Sequence, residues 1–376
     1  MSAVEIRRVQ TRRERRIFLT FPWRIYHNDP LWVPPLIPER ARLIDPARGP
    51  FFKRGTAEFF IAWRAGQPVG TICASEDRAA SHAIGVRECL FGFFECIEDY
   101  PVARALLDHV RGWAHQQGLS TLYGPFNLDR EDSYGVLVEG RDRPPVILCG
   151  HTPPYYLGFL ERYGLEPARG DNLAFAIDVN EDTPALRRLS RLAAWLRRQG
   201  HITIREADFS RWQEESVHVH RLMNSALAHL PDHIPWPLDA VQALLEPFLT
   251  LADPALILFA EVDGHPVGFF PGLPDINEAF IHANGLRFPW DYVRLWWHWR
   301  RPPECLTIKS VLVLPEYWSK GVAVLFFDEM LQRIRARSYR WVDLSLTSED
   351  NPYTPRLAAS LDAHVYKRYR VYRMPV

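Results

Sequence analysis

Ala62-Trp63-Arg64-Ala65-Gly66-Gln67-Pro68-Val69-Gly70 and Ala260-Glu261-Val262-Asp263-Gly264-His265-Pro266-Val267-Gly268 share the phrase Ala-x-x-x-Gly-x-Pro-Val-Gly. The copies lie 198 residues apart in a chain of 376, a spacing that points to one αβ module used twice. Each copy runs from an apolar strand (Phe59-Phe60-Ile61-Ala62, Leu256-Ile257-Leu258-Phe259-Ala260) through a Gly-containing turn into a strand beginning at Val-Gly. Only the second copy is followed by a loop suited to phosphate. One working site in a two-module protein is the expectation.

Outward from the first copy, the sequence predicts a strand near 90–96, an amphipathic helix over 101–117 and a strand ending at Gly124-Pro125-Phe126. The helix sets Val102, Leu106, Val110 and Trp113 at helical spacing, the pattern of one buried face. A short helix after Pro153-Pro154-Tyr155-Tyr156 stops at Gly164, and Leu173–Ile177 reads as a closing strand. Asp182-Thr183-Pro184 opens a run of polar helices, so the boundary is drawn at 180, giving modules 1–180 and 181–376. The second module is read as helices at 184–199, 211–229 and 237–249, the repeat hairpin, a Trp-rich insertion at 286–303, a strand at 306–314, a helix at 321–337 and a strand at 340–346. The fold class is α/β, a mixed sheet in each of two tandem modules. Ahead of the first hairpin, a basic helix precedes Phe21–Leu36, whose two Trp and four Pro read as an ordered aromatic segment laid over a domain.

Composition narrows the function. Basic and acidic residues both number 45, so no global charge steers the chain to nucleic acid, and an anion site has to be local. Five cysteines without a Cys-x2-Cys pair argue against a disulfide framework or thiolate zinc site and for a reducing compartment. The charged start, rich in arginine from Arg7 to Arg16, is followed by no long apolar run, so the expected location is cytoplasmic, with peripheral contact to the inner membrane open through that basic cluster. The insertion (Phe288, Trp290, Trp296, Trp297, Trp299) is either inter-module core or a lipid groove. His218, His220, His229 and His233 carry no carboxylate partner at ligand spacing, so no metal is expected.

The chemistry concentrates in Ile308-Lys309-Ser310-Val311-Leu312-Val313-Leu314-Pro315-Glu316-Tyr317-Trp318-Ser319-Lys320-Gly321-Val322-Ala323-Val324-Leu325-Phe326. A strand, a loop with Lys and Gly, and an apolar helix leave the first helical amides unpaired, with the positive end of the dipole outward, a cradle for a diphosphate. It is neither a Walker loop nor a dinucleotide fingerprint, because Gly-Lys-Ser/Thr and Gly-x-Gly-x-x-Gly are both missing. The first module has Ile97-Glu98-Asp99-Tyr100 at the equivalent helix start, where two acids repel an anion.

With strand, hairpin, strand, loop, helix and strand in this order, Trp318-Ser319-Lys320-Gly321-Val322-Ala323 resembles the GNAT superfamily of CoA-dependent N-acyltransferases, whose signature is Gln/Arg-x-x-Gly-x-Gly/Ala. Gly321 and Ala323 fit; Trp318 replaces the polar first position. The resemblance implies acyl-CoA as cosubstrate, its pyrophosphate on the backbone of Ser319, Lys320, Gly321, Val322 and Ala323, its pantetheine arm along strand 308–314, and an oxyanion contact from the amides of Val311, Leu312 or Val313. Asn351 resembles the family's Asn that precedes a Tyr acid by seven residues, but Ala358 stands at the Tyr position; the acid is then Tyr353, a water, or nothing, the thiolate leaving unassisted. Base candidates are Glu349, against a helix-cap reading, and His282 on a cleft-facing strand, against a structural one. Asn224 is a candidate to face the acceptor amine.

The Phe-Pro-x-x-Ile-Tyr…Asp-Pro-x-Trp-Val-Pro-Pro-Leu stretch, Gly124-Pro125-Phe126-Asn127, Pro-Pro-Tyr-Tyr and Lys367-Arg368-Tyr369-Arg370-x-Tyr372 extend the resemblance to a bacterial group of tandem GNAT-like proteins, some tied to ceramide formation by acylation of a sphingoid-type amine. This implies a small-molecule or lipid amine as acceptor. Two rival readings are a tRNA-dependent aminoacyl transferase on the same paired architecture, which the even charge opposes, and an inactive scaffold, which the intact loop opposes.

Overall fold

The computed structural model describes residues 3–376 apart from 129, 131–133, 181, 230–234, 338 and 352, so His233 lies outside the described residues. The first strand, β1 (Glu5–Arg8), is an edge strand preceding the basic helix α1 (Arg12–Thr20), which Thr11 and Glu14 close with a capping box. Helices α2 (Pro22–Ile25) and α3 (Ile37–Leu43) carry the aromatic segment to the hairpin β2 (Gly55–Arg64) and β3 (Gln67–Asp77). There follow α4 (Arg78–Ile84), β4 (Glu88–Cys96), α5 (Tyr100–Gln116), β5 (Thr121–Gly124), β6 (Val136–Glu139), α6 (Tyr155–Tyr163), β7 (Glu166–Pro167) and β8 (Asn172–Asp178). The second half runs α7 (Pro184–Gln199), β9 (Thr203–Glu206), α8 (Trp212–Leu227), α9 (Leu238–Leu245), the hairpin β10 (Ile257–Val262) and β11 (His265–Pro274), then α10 (Asn277–Phe280) and α11 (Pro289–Trp299). It ends with β12 (Cys305–Ile308), β13 (Leu312–Val313), α12 (Val322–Arg335), β14 (Trp341–Ser348), α13 (Thr354–Ser360), β15 (His364–Arg370) and β16 (Tyr372–Pro375).

The repeated phrase is a repeated structure. Ala62 pairs Gly70 and Ala260 pairs Gly268, and in both hairpins the register slips by one residue immediately afterwards, at Trp63 and at Glu261. Both turns have positive φ at two central residues, Ala65 (48°) and Gly66 (76°), Asp263 (52°) and Gly264 (76°), the geometry of a two-residue hairpin loop. The last glycine of each phrase serves one purpose. A Cβ on Gly70 would sit 2.8 Å from Leu106 of α5, and one on Gly268 2.8 Å from Phe326 of α12. Each lets the module's central helix press onto its hairpin, where Val102, Leu106 and Val110 in one module and Val322, Phe326 and Met330 in the other are buried.

The described strands form two sheets, ordered β1-β2-β3-β4-β5-β16-β7 and β6-β15-β8-β14-β12-β11-β10-β9, with β13 also on β11. They do not divide at residue 180. Strands β6 and β8, before that point, pair in the second sheet, and β16, at the far end of the chain, fills the first sheet between β5 and β7. The chain also breaks at Val371 into β15 and β16, where the sequence suggests one strand. This exchange fastens the halves together, as does the N-terminal aromatic segment: Trp23 Nε1 donates to Asn284 Oδ1 (2.7 Å) in the second half, while Tyr26 donates to Glu95 in the first.

Candidate active site

Strand β12 pairs in parallel with β14 only from Cys305–Trp341 to Ile308–Leu344. Beyond Ile308 the two diverge. On β11, Phe270 and Pro271 face three residues, Lys309, Ser310 and Val311, before pairing resumes at Leu312 and Val313. Proline has no N–H to give the ladder, and the extra residue makes a bulge that bends the strand away. Meanwhile β14 continues to Ser348 along β8. A wedge opens between 309–313 and 345–348, two strand edges that can pair with an extended ligand. The single strand expected over 306–314 is therefore two short strands around a bulge.

At the wide end, Pro315–Lys320 forms a 3-10 turn and Gly321 the cap of α12. No side chain caps α12, its first turn holds no acid, and Ser319 and Lys320 are exposed. Together these make a helix N-terminus open to an anion, with a lysine beside it. Gly321 has φ of 85°, and its missing Cβ would lie 2.5 Å from Leu196 of α7. The glycine therefore also serves the packing of α7 on α12. Trp318 donates Nε1–H to the carbonyl of Val313 (2.8 Å) and its ring lies between His229 (4.9 Å) and Tyr353 (5.1 Å). It forms an aromatic wall at the wedge mouth. Asn351 accepts from the amides of Tyr353 (2.9 Å) and Thr354, fixing the start of α13.

Strand alternation turns Leu306 and Ile308 toward α12, and Thr307 and Lys309 to the opposite face. There, at the apex, sits a polar cluster that sequence reasoning missed. Lys309 Nζ donates to Ser345 Oγ (2.7 Å) and Asp343 Oδ2 (3.1 Å) and lies 3.9 Å from Cys149 Sγ. Asp343, fully buried, also accepts from Ser345 Oγ (2.7 Å) and Tyr366 OH (2.7 Å). Burial works to lower the Lys309 pKa, but Asp343 and Cys149 outweigh it and hold the ammonium above its ordinary value. Cys149 is carried to the apex by a segment pinned over this face: Asp275 Oδ1 accepts from Ile147 N (2.9 Å) and Asn277 Nδ2 donates to Pro145 O (2.9 Å). Two residues on, His151 Nε2 meets Asp29 Oδ2 at 2.7 Å, while its buried Nδ1 has no partner among the described residues. Burial lowers the imidazole pKa against the opposing pull of Asp29, leaving a neutral ring able to take a proton. A signal was present in the sequence: Lys309 and Asp343 each interrupt an apolar strand at an inward position.

The other candidates are placed differently. Glu349 accepts from the amide of Asp171 (2.9 Å) and from Arg368 (2.6 Å), which corrects its reading as a free base. His282 lies on no strand, because 277–280 is helical; it is exposed and stacks on His298 of α11 with centroids 3.7 Å apart. Asn224 is engaged by the backbone of Trp236 through both ends of its amide, and His220 by the same carbonyl. No group of three or more His, Cys, Asp or Glu with the arrangement of a metal site occurs among the described residues.

Fold and site together define a class. Residues 219–361 match the model of the acetyltransferase (GNAT) family, a domain of acyltransferase architecture. The whole chain has a tandem GNAT-like fold: a tandem GNAT protein from the clavulanic acid biosynthesis pathway superposes with a TM-score of 0.58 at 13% identity, over 99% of this chain and 98% of that one. Among curated proteins, the chain is 28% identical to Protein YghO of Escherichia coli (strain K12), over 99% of its own length and 95% of the relative's. It is also 28% identical to the Bacterial ceramide synthase of Caulobacter vibrioides, over 97% of its own length and 95% of that protein's.

Proposed function

We propose that the protein is an acyl-CoA-dependent N-acyltransferase whose single donor site is the wedge between 309–313 and 345–348. The observation that carries this is the wedge itself: two diverging strand edges leading from a helix N-terminus with no acid in its first turn to a half-buried cation, Lys309. The diphosphate sits on the amides of Ser319 to Ala323, with Lys320 beside it, and the pantetheine arm pairs with the edge at Val311 to Val313. The amine nitrogen attacks the thioester carbonyl, forming C–N as C–S breaks. Lys309 offsets the negative charge that develops on oxygen and then on sulfur, a role that suits a rigidly held cation in a site shielded from water. A thiol of ordinary pKa about 8.5 then needs little further help to leave. The amine proton passes to His151, oriented by Asp29. The likeness along nearly the full chain to a relative named a ceramide synthase supports a long-chain, sphingoid-type amine as acceptor.

Ala323 provides the test. It is half-buried in the first turn of α12, where a carboxylate suits the helix dipole but opposes a diphosphate. Ala323→Glu is expected to keep its thermal stability and to weaken binding of acetyl- to palmitoyl-CoA by about 100-fold. Equal binding by both proteins, or none by the wild type, would remove the donor site. Release of thiol from palmitoyl-CoA with sphinganine, but not with a short amine, would support the acceptor class.

A further inference from the structure

Helix α11 is built the wrong way round for water. Its charged Asp291 is fully buried, accepting from Phe288 N (3.0 Å) and Asn284 Nδ2 (3.3 Å), while His298 stacks on His282. Outward stand Trp290, Tyr292, Val293, Trp296, Trp297 and Trp299, each 43 to 65% exposed. Single exposed apolar residues need no explanation, but a contiguous group of this size marks a contact surface. We propose that α11 docks the protein onto an anionic phospholipid bilayer, lying in the interfacial plane.

Two features select that occupant. The composition is the first: tryptophan and tyrosine, with their apolar bodies and polar edges, concentrate where hydrocarbon meets headgroups. Charge is the second. Between 287 and 301 stand Arg287, Arg294, Arg300 and Arg301, all exposed, against one acid, the buried Asp291. Arg300 lies over the Trp296 ring at 3.7 Å, presenting cation and aromatic together. A second copy of the chain meeting α11 across a two-fold axis would set these arginines against one another, whereas phosphate headgroups neutralise them. At 11 residues the helix is about 16 Å long, too short to span a bilayer and suited to lying on it.

The placement fits the reaction proposed above, on which this part of the inference rests. Helix α11 leads into the start of β12, while the loop for the diphosphate follows the far end of that strand region. Phe280 of α10 stacks on Trp299 and ties the docking helix to the end of β11. A bilayer on α11 supplies an amphiphilic amine from one end of the strand, and the soluble donor enters from the other.

Flotation with vesicles tests docking apart from catalysis. The full chain is expected to float with vesicles of phosphatidylethanolamine and phosphatidylglycerol, and at least tenfold less with phosphatidylcholine alone. Val293→Ser/Trp296→Ser/Trp297→Ser should abolish flotation, and Arg294→Gln/Arg301→Gln should lower it and flatten its salt dependence. Both variants should bind palmitoyl-CoA as the wild type does, so loss of donor binding alone would strike the proposed activity and leave docking intact. Docking is overturned if the wild type floats with neither vesicle, if the triple variant floats undiminished, or if the wild type is a dimer that only the triple variant dissolves.

Discussion

The two modules contain the same wedge, one closed and one open. In the first, β4 pairs in parallel with β5 only as far as Leu90–Tyr123, and β4 carries a bulge with one extra residue, Phe93 and Phe94 standing against Ile72. That is the counterpart of the β12–β14 divergence. Here the chain fills its own gap: Phe126 N donates to Phe91 O (2.8 Å), Asn127 Oδ1 accepts from Phe93 N (2.8 Å), and Tyr156 OH accepts from Cys96 N (2.9 Å). The plug lies so close that a Cβ on Gly92 would fall 1.5 Å from the carbonyl oxygen of Phe126. The helix start beside it is equally unsuited to a diphosphate, with Asp99 at the cap paired to Arg64 at 2.6 Å. On the function proposed above, the duplicated scaffold offers a ligand one slot and fills the other with its own chain. The hydrogen bonds a ligand would supply are supplied by Phe126, Asn127 and Tyr156.

The comparison can be broken most severely at the apex of the open wedge. Lys309→Met is expected to lower kcat for thiol release from palmitoyl-CoA by about 100- to 1000-fold, the scale of losing one preorganised electrostatic donor. Asp343 would keep its bonds from Ser345 and Tyr366, so urea unfolding should show the variant folded; unchanged kcat would leave the cluster purely structural. Next in size, Asp29→Asn should lower kcat/KM about tenfold, the scale of mispositioning a general base. The sign of its pH effect follows from the imidazole: Asp29 raises the His151 pKa, so its removal moves the acidic limb of the profile to still lower pH. In the wild type that limb should fall below the ordinary histidine value of about 6.5. A limb that stays in place in the variant assigns the titration to another group.

The smallest effect should come from the closed wedge. Asn127→Ala leaves the amide of Phe93 without its acceptor and should cost about 1–3 kcal/mol of stability, while calorimetry should still count one acyl-CoA per chain. Two per chain, in the variant or the wild type, would mean that the first wedge opens and that the modules do not differ as described.

Much of this was legible along the chain. The duplication is visible because hairpin turns demand local chemistry: two positive-φ positions, then a glycine where a helix presses close. The strand, loop and helix of 308–330 are legible for the same reason, as propensity and capping act within a few residues. The acid pair Glu98 and Asp99 ahead of α5 was likewise visible in the sequence. What lay beyond reach was set by contacts between residues far apart in sequence. Glu349 reads as a free carboxylate until Arg368 and Asp171 are folded against it, and His282 reads as a strand residue until the chain ahead of it turns into α10.

By itself, the sequence determined that one αβ hairpin architecture occurs twice and that the two central helices begin differently, one at Asp99 and the other at Gly321 with no acid in its first turn, since hydrophobic period, turn residues and cap composition are local properties. The tertiary structure alone decided how the modules share strands, where Lys309 meets Asp343, and which way α11 faces. Strand exchange and ion pairing depend on groups some 30 to 250 residues apart, and the same tryptophans are core or surface according to what packs against them. Their fate was written in the fold, because burial is a property of neighbours and not of residues.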